Sequence, residues 1–186
     1  MSGYAEAKGV SLNFDAYYQN FSAKIGGTIM DVSRVENNQR FRQEFQERYT
    51  IVWNLTHHFK KTNLKIEYTG NLYGPMVLPL LGNLDPRMPI SKPFSIQNIQ
   101  VTKIFKNNLE LFGGVKNLLN WTPNKGNPFI IARTQDPFDQ HIQYNSAGEI
   151  LATPENPHAL KFDPDYIYGS NQGIRLFLGL RYKIAN

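Results

Sequence analysis

Apolar and polar residues alternate along most of the chain with a period of two. In "GVSLNFDAYY", Val10, Leu12, Phe14, Ala16 and Tyr18 share one face, and Ser11, Asn13, Asp15 and Tyr17 share the other. "FSAKIGGTIM" sets Phe21, Ala23, Ile25, Gly27 and Ile29 against Ser22, Lys24, Gly26 and Thr28. "RYTIVWNLT" sets Tyr49, Ile51, Trp53 and Leu55 against Thr50, Val52, Asn54 and Thr56. The same rhythm recurs in "NLKIEYTGNLYG", "SIQNIQVTKIF", "NLELFGGVKNLL" and the closing "GIRLFLGLRYKIAN". Period-two alternation is the signature of a strand with one greasy face. Seven strands are predicted, at about 9–18, 21–32, 48–57, 63–73, 95–105, 109–119 and 172–184. Each is about as long as the ~9–11 residues a tilted strand needs to cross a bilayer.

The connections alternate as well. Gln19-Asn20, His57 to Thr62 and Lys106 to Asn108 are short, whereas Val35 to Glu47, Pro75 to Pro93 and Asn120 to Ser170 are long. Short turns at one end and long loops at the other are the pattern of outer-membrane barrels. Within the loop at 120–170, a hairpin is expected near 140–153, turning around Asn145 to Gly148 with Ile142, Tyr144 and Ile150 on its apolar side. The four-residue spacing of Phe41, Phe45 and Tyr49 allows a short helix, or an extension of the neighbouring strand. Aromatics collect beside the short turns (Tyr18, Phe21, Phe59, Phe105), as an interfacial girdle would require.

Composition narrows the classes. The chain has 186 residues, 41% of them hydrophobic and 13% aromatic, and no run of apolar residues long enough for a membrane helix. Its mean hydropathy of −0.44 is low, but averaging over alternating strands hides membrane barrels. The absence of cysteine excludes disulfides, Cys-zinc sites and thiol catalysis. The net charge of +5 comes from scattered basic residues without a nucleic-acid-binding signature, so no nucleic-acid partner is expected. "MSGYAEAKGVSLNF" shows no basic segment followed by an apolar one, so no signal peptide is expected there.

Two passages carry a family likeness. "LELFGGVKNLLNWTP", with Gly114, Val115, Asn117, Leu118, Leu119 and Asn120, resembles the penultimate barrel strand of TonB-dependent outer-membrane receptors. "YIYGSNQGIRLFLGLRYKI", with Tyr168, Gly173, Phe177, Gly179, Tyr182 and Ile184, resembles their last strand. "GPMVLPLLG" and the loop from Asp136 to Tyr166 are most similar to receptors of Bacteroidetes-type bacteria. The chain departs from the usual aromatic terminus, with Ile184 followed by Ala185-Asn186. The resemblance implies an all-β fold, an antiparallel transmembrane segment of about seven strands from a 22-stranded barrel with long extracellular loops. The plug domain that fills such a barrel is absent from this chain.

The resemblance further implies residence in the outer-membrane lipid with the C-terminus periplasmic, insertion by the barrel assembly machinery, and energy coupling to the TonB–ExbB–ExbD complex through the missing plug. The transported ligand would be a scarce nutrient, a ferric siderophore by default, with haem, cobalamin or oligosaccharide behind it. Two alternatives stay open: a self-contained small outer-membrane barrel with a structural or adhesive role, and a soluble β-sandwich binding module.

Candidate chemistry is sparse. Asp136, Asp139, Asp163 and Asp165, with His141 and His158, gather in the long loop as candidates for touching a ligand, although "DPFD" and "DPD" are also ordinary turn chemistry. His57-His58 lie beside a short turn with no carboxylate near in sequence, which reads as a solvated turn rather than a metal site. Arg175, Arg181, Lys65, Glu67, Asp15 and Lys24 are expected to pair with one another, or with a plug, on the polar face. No nucleophile elbow, phosphate loop, zinc motif or dinucleotide fingerprint occurs, and no enzyme activity or cofactor is expected.

Overall fold

The computed structural model describes residues 3–106, 108–123, 125, 136 and 138–184. These residues form no helix. They form one antiparallel sheet of eight strands: β1 (Gly3–Tyr18), β2 (Phe21–Glu36), β3 (Gln39–Arg42), β4 (Tyr49–Phe59), β5 (Leu64–Tyr73), β6 (Phe94–Ile104), β7 (Leu109–Lys116) and β8 (Arg175–Tyr182). The order is β1-β2-β4-β5-β6-β7-β8, and β3 pairs with the far half of β2. The sheet is not closed, because β1 and β8 each lack a neighbour on one side.

The register aligns one face of the sheet from β1 to β8, apolar except at the loop end of β6, where Ser95 and Gln97 stand on it. Phe14 pairs with Ile25, Ile25 with Trp53, Leu55 with Tyr68, Tyr68 with Ile99, Ile99 with Val115 and Val115 with Leu176. A slip of one residue at any ladder would move a strand's apolar set to the other face. Instead the apolar residues of seven strands form one continuous surface. The 11 residues of β4 span about 37 Å and, tilted by about 45°, about 26 Å, close to the ~25 Å apolar band of membrane barrels.

That surface has no cover among the described residues. Leu176 is 81% exposed, Leu178 79% and Val10 67%. The total accessible area is 12960 Å², whereas a compact 21.4 kDa monomer exposes about 9100 Å². A sandwich would bury the apolar face of its sheet under a second sheet; here Ala23 is the one hydrophobic residue of that face that is buried, among the described residues. The buried apolar cluster of Met76, Leu78, Phe94 and Tyr166 sits instead at the long-loop end.

The short turns owe their geometry to side chains that tolerate the left-handed backbone region. Gln19 (φ 51°), Asn63 (φ 48°) and Asn108 (φ 61°) reverse the three turns at one end. Asn37 and Asn38, both left-handed, make the tight link from β2 to β3.

Several expectations change. β1 and β2 are longer than the periodicity implied, reaching Gly3 and Glu36. Beyond the apolar belt the strands need no apolar alternation, so their outer thirds read as polar sequence. The helix allowed by Phe41, Phe45 and Tyr49 does not form: Phe41 lies on β3, Phe45 has a left-handed φ of 58°, and Tyr49 opens β4. β7 stops at Lys116 rather than 119, because Asn117 leaves the strand conformation with φ 53°. β8 begins at Arg175 rather than 172. The hairpin expected near 140–153 does form, turning at Asn145 to Gly148 with Tyr144 bridged to Ile150 and the Leu151 N–H donating to the Gln143 carbonyl, and it lies off the sheet.

Candidate functional site

Three surfaces emerge: the apolar belt, the polar face behind it, and a cap of loops at one end. The belt ends in aromatic residues at the short turns. Tyr18, Phe21, Phe59, Phe105 and Tyr182 all lie on the apolar-face register and are all exposed. Lys103 falls on the same face, donates to the Thr62 carbonyl in a short turn and lies 6.0 Å from the Phe105 ring centre.

Several charges of the polar face pair with one another, while Lys116 and Arg175, which face each other across β7 and β8, do not among the described residues. Lys24 lies 3.4 Å from Asp15, and Lys65 2.9 Å from Glu67. Arg181 and Lys183 converge on Glu110 at 2.9 and 2.7 Å. Amides and hydroxyls fill the spaces, with Gln100 donating to Glu67 (3.2 Å) and Asn98 to Thr69 (3.4 Å). Near the cap this face opens into a cleft of about 360 Å³, lined by Asn71, Tyr73, Phe94, Asn98, Tyr168 and Ser170 among others.

Three of the residues that carry the resemblance, Gly114, Phe177 and Gly179, lie on this face. Gly114 pairs with Phe177, and Gly179 with Phe112. A Cβ on Gly179 would meet the Phe112 ring at 2.3 Å, and one on Gly114 would meet the Ile99 carbonyl at 2.1 Å and the Phe177 ring at 2.8 Å. Each phenyl ring thus lies across the glycine of the neighbouring strand, a packing only glycine permits. Tyr182 pairs with Leu109 on the opposite, apolar face.

Asn117 is the hub of the cap. Its left-handed backbone ends β7, and its side chain ties both ends of the long loop together. Its Nδ2 donates to the carbonyls of Trp121 (2.6 Å) and Gln172 (3.0 Å), and its Oδ1 accepts from the Trp121 N–H (2.9 Å). Its own N–H donates to Asn98 Oδ1 at 3.0 Å. Leu118 follows, its N–H reaching the Gln97 carbonyl at 2.7 Å. Asn120, also left-handed, accepts from the Ile174 N–H at 2.9 Å. The "NLLN" stretch therefore launches the loop and receives its return.

Aromatic rings floor the cap. Phe94 stacks on Trp121 with centres 3.7 Å apart and planes 4° apart, and on Tyr73 at 4.8 Å. Above them lies a charged group unforeseen from sequence. Arg87 forks onto Asp85, with Nη2 2.6 Å from Oδ2 and Nε 3.0 Å from Oδ1, and the same Nη2 donates to Asp163 Oδ2 at 2.6 Å. The guanidinium sits 4.2 Å from the Tyr166 ring centre, and the Tyr166 hydroxyl donates to the Met88 carbonyl at 2.6 Å. Burial pushes the Asp85 carboxyl up, but hydrogen bonds from Arg87 and from the backbone N–H groups of Arg87 and Leu81 outweigh it and leave its pKa below the ordinary carboxylate range. The two loops are thereby locked to each other. The "DPR" of the second loop was the available signal, a carboxylate and a guanidinium two residues apart in an apolar stretch.

The loop carboxylates proposed from sequence do not converge. Asp136 accepts from the N–H groups of Gln140 (2.8 Å) and His141 (2.9 Å), and Asp139 from that of Phe162 (2.6 Å). Asp163 holds Arg87 and accepts from the Asp165 N–H (3.0 Å), while Asp165 itself is exposed. His141 is exposed, its Nδ1 3.6 Å from Asp136. No group of three or more metal-ligating side chains occurs among the described residues. His57 and His58 fall on opposite faces, His57 against the Phe59 ring at 4.3 Å.

Comparison with known proteins returned no matching family model, no matching curated protein and no matching solved structure.

Proposed function

We propose that this chain is the C-terminal barrel segment of a TonB-dependent outer-membrane receptor, its apolar face in lipid and its polar face turned to the barrel interior. The observation that carries the reading is the unbroken register of an uncovered apolar face across seven strands, bounded by aromatics at the short-turn end. The short turns are then periplasmic, which makes the C-terminus periplasmic, and the loop cap is extracellular. The free edges of β1 and β8 would leave rows of backbone N–H and C=O groups unsatisfied in hydrocarbon, so further strands must complete the wall. The polar face, rich in amides, hydroxyls and paired charges, suits a wet lumen that holds a plug.

On this reading the whole receptor takes up a scarce nutrient, a ferric siderophore or related iron complex by default, driven by the TonB–ExbB–ExbD complex through a plug encoded elsewhere. It is inserted by the barrel assembly machinery and has no enzyme activity. The uncovered apolar face disfavours a soluble sandwich, and the hairpin at Tyr144 and Ile150, standing apart from the sheet, does not supply the strand a small closed barrel needs. Sequencing the DNA upstream of the Met1 codon tests the proposal. An open frame encoding further barrel strands and a plug is expected; a signal peptide placed directly before Met1 would overturn it.

A further inference from the structure

Beyond the apolar belt, the outward face of the β1-β2-β3 extension changes character. The register continues without a bulge, so Glu6, Lys8, Asp31, Ser33, Arg40 and Arg42 stand on the same face as Val10, Leu12 and Ile29. Most of these charges are satisfied. Arg40 donates to Ser33 (2.9 Å) and Asp31 (2.6 Å), and Lys8 pairs with Glu6.

Arg42 is different. Its Nε and Nη2 are shielded from water and meet no acceptor among the described residues. Burial, then the positive charge of Arg48, lower its pKa from arginine's ordinary value, and Asp31, which acts the other way, is already engaged by Arg40. Guanidinium nitrogens shielded from water without an acceptor are costly, and two on one edge form a fork suited to a bidentate oxyanion.

The position of Arg42 indicates what that oxyanion is. Its partner Ser33 lies beyond Ile29 by about four residues, roughly 13 Å along the strand and about 9 Å in height at a 45° tilt, which is the level of lipid headgroups. A headgroup phosphate there would find the belt's acyl contacts directly below it. We propose that Arg42 is a binding site for the phosphate of an outer-leaflet lipid headgroup, reached by turning the Nε–Nη2 edge outward. This rests on the outer-membrane reading and deepens it.

Native mass spectrometry in detergent micelles of the receptor that carries this chain, completed by its upstream strands, with phosphatidic acid added, tests the site. One retained lipid per chain is expected, and Arg42→Gln should lower the retained fraction about tenfold, the usual scale for losing a charge-assisted fork. Arg34→Gln removes the same charge from the opposite face, where Arg34 lies over Phe41, and should leave retention unchanged. Should Arg42→Gln fail to fold, Arg42→Lys keeps the charge, loses the fork and should still weaken retention severalfold. Absence of an adduct on the wild type, or equal retention by the Arg42 and Arg34 variants, overturns the site. Inorganic phosphate that displaces the lipid at equal concentration also overturns it, since acyl contacts would then contribute nothing. A completed receptor that inserts in lipid but holds no headgroup refutes this site alone; cooperative folding of this chain by itself as a soluble monomer refutes the receptor reading.

Discussion

Replacing Arg87 with methionine should unlock the cap while sparing the sheet. The side chains of Arg87, Asp85 and Asp163 are 2%, 0% and 6% exposed, so water cannot take over from the guanidinium. Both carboxylates meet the same Nη2, each at 2.6 Å, so removing it leaves two near-neighbour negative charges buried without their shared cation. Breaking a buried pair by deleting one partner costs about 3–5 kcal/mol. The loss should fall on the loops, because the triad joins loop to loop and touches no ladder of the sheet. Hydrogen exchange of the completed receptor in micelles, read on the peptides of this chain, reports this directly. Protection at the amides of Leu78, Ser91 and Leu160, which donate within the cap, should fall by about two to three orders of magnitude. Amides of β4 and β5 should be unchanged. Equal loss in the sheet, or none in the cap, would refute the role assigned to the triad.

Other outcomes follow from the same geometry. The Asp85 carboxyl lies below its ordinary value, so its contribution to the cap is complete above about pH 5 and is lost as pH falls below about 4; cap exchange should rise in acid while the sheet holds. Gly179→Ala should cost about 1 kcal/mol and be relieved by Phe112→Leu, because only a ring opposes the new methyl. Gly114→Ala should cost about 3 kcal/mol and not be relieved by Phe177→Leu, because the Ile99 carbonyl remains in place; denaturant titration in micelles separates the two. Asn117→Gly keeps the left-handed backbone but loses the amide, so protease cleavage within 118–172 should accelerate, and Asn117→Asp, which retains only the acceptor, should fall between.

How far the sequence reads through to the structure depends on where solvent imposes a rule. In β1, β2 and β4 one face must be apolar at every second residue, and the alternation of Val10 to Tyr18 or Tyr49 to Leu55 places the strands directly. The rule fails in β6, where Ser95 and Gln97 lie on the apolar side while Phe94 and Ile96 lie on the polar side. There the sheet runs under the cap, and the inner face is the one packed with Tyr73, Trp121 and Tyr168. It fails again in β3 and the outer third of β2, above the belt, where Arg40 and Arg42 need no apolar partner. Asp163 was legible as a loop carboxylate, but its partner Arg87 is 76 residues distant, and no local pattern couples them. Asn117 and Gly179 were visible as family-motif positions; that one is a loop clamp and the other the seat of a phenyl ring required the fold.

Whether the apolar face meets lipid can be read from the chain's two tryptophans. Trp53 lies mid-strand on that face, paired between Ile25 and Gly70, whereas Trp121 is stacked on Phe94 in the cap. With Trp121→Phe in the receptor completed by its upstream strands, any tryptophan outside this chain replaced by Phe, and reconstituted in vesicles containing acyl-chain-brominated lipid, Trp53 fluorescence should be strongly quenched and insensitive to aqueous iodide. With Trp53→Phe, Trp121 should escape the bromines. Quenching of Trp53 by iodide and not by the brominated chains would contradict the account.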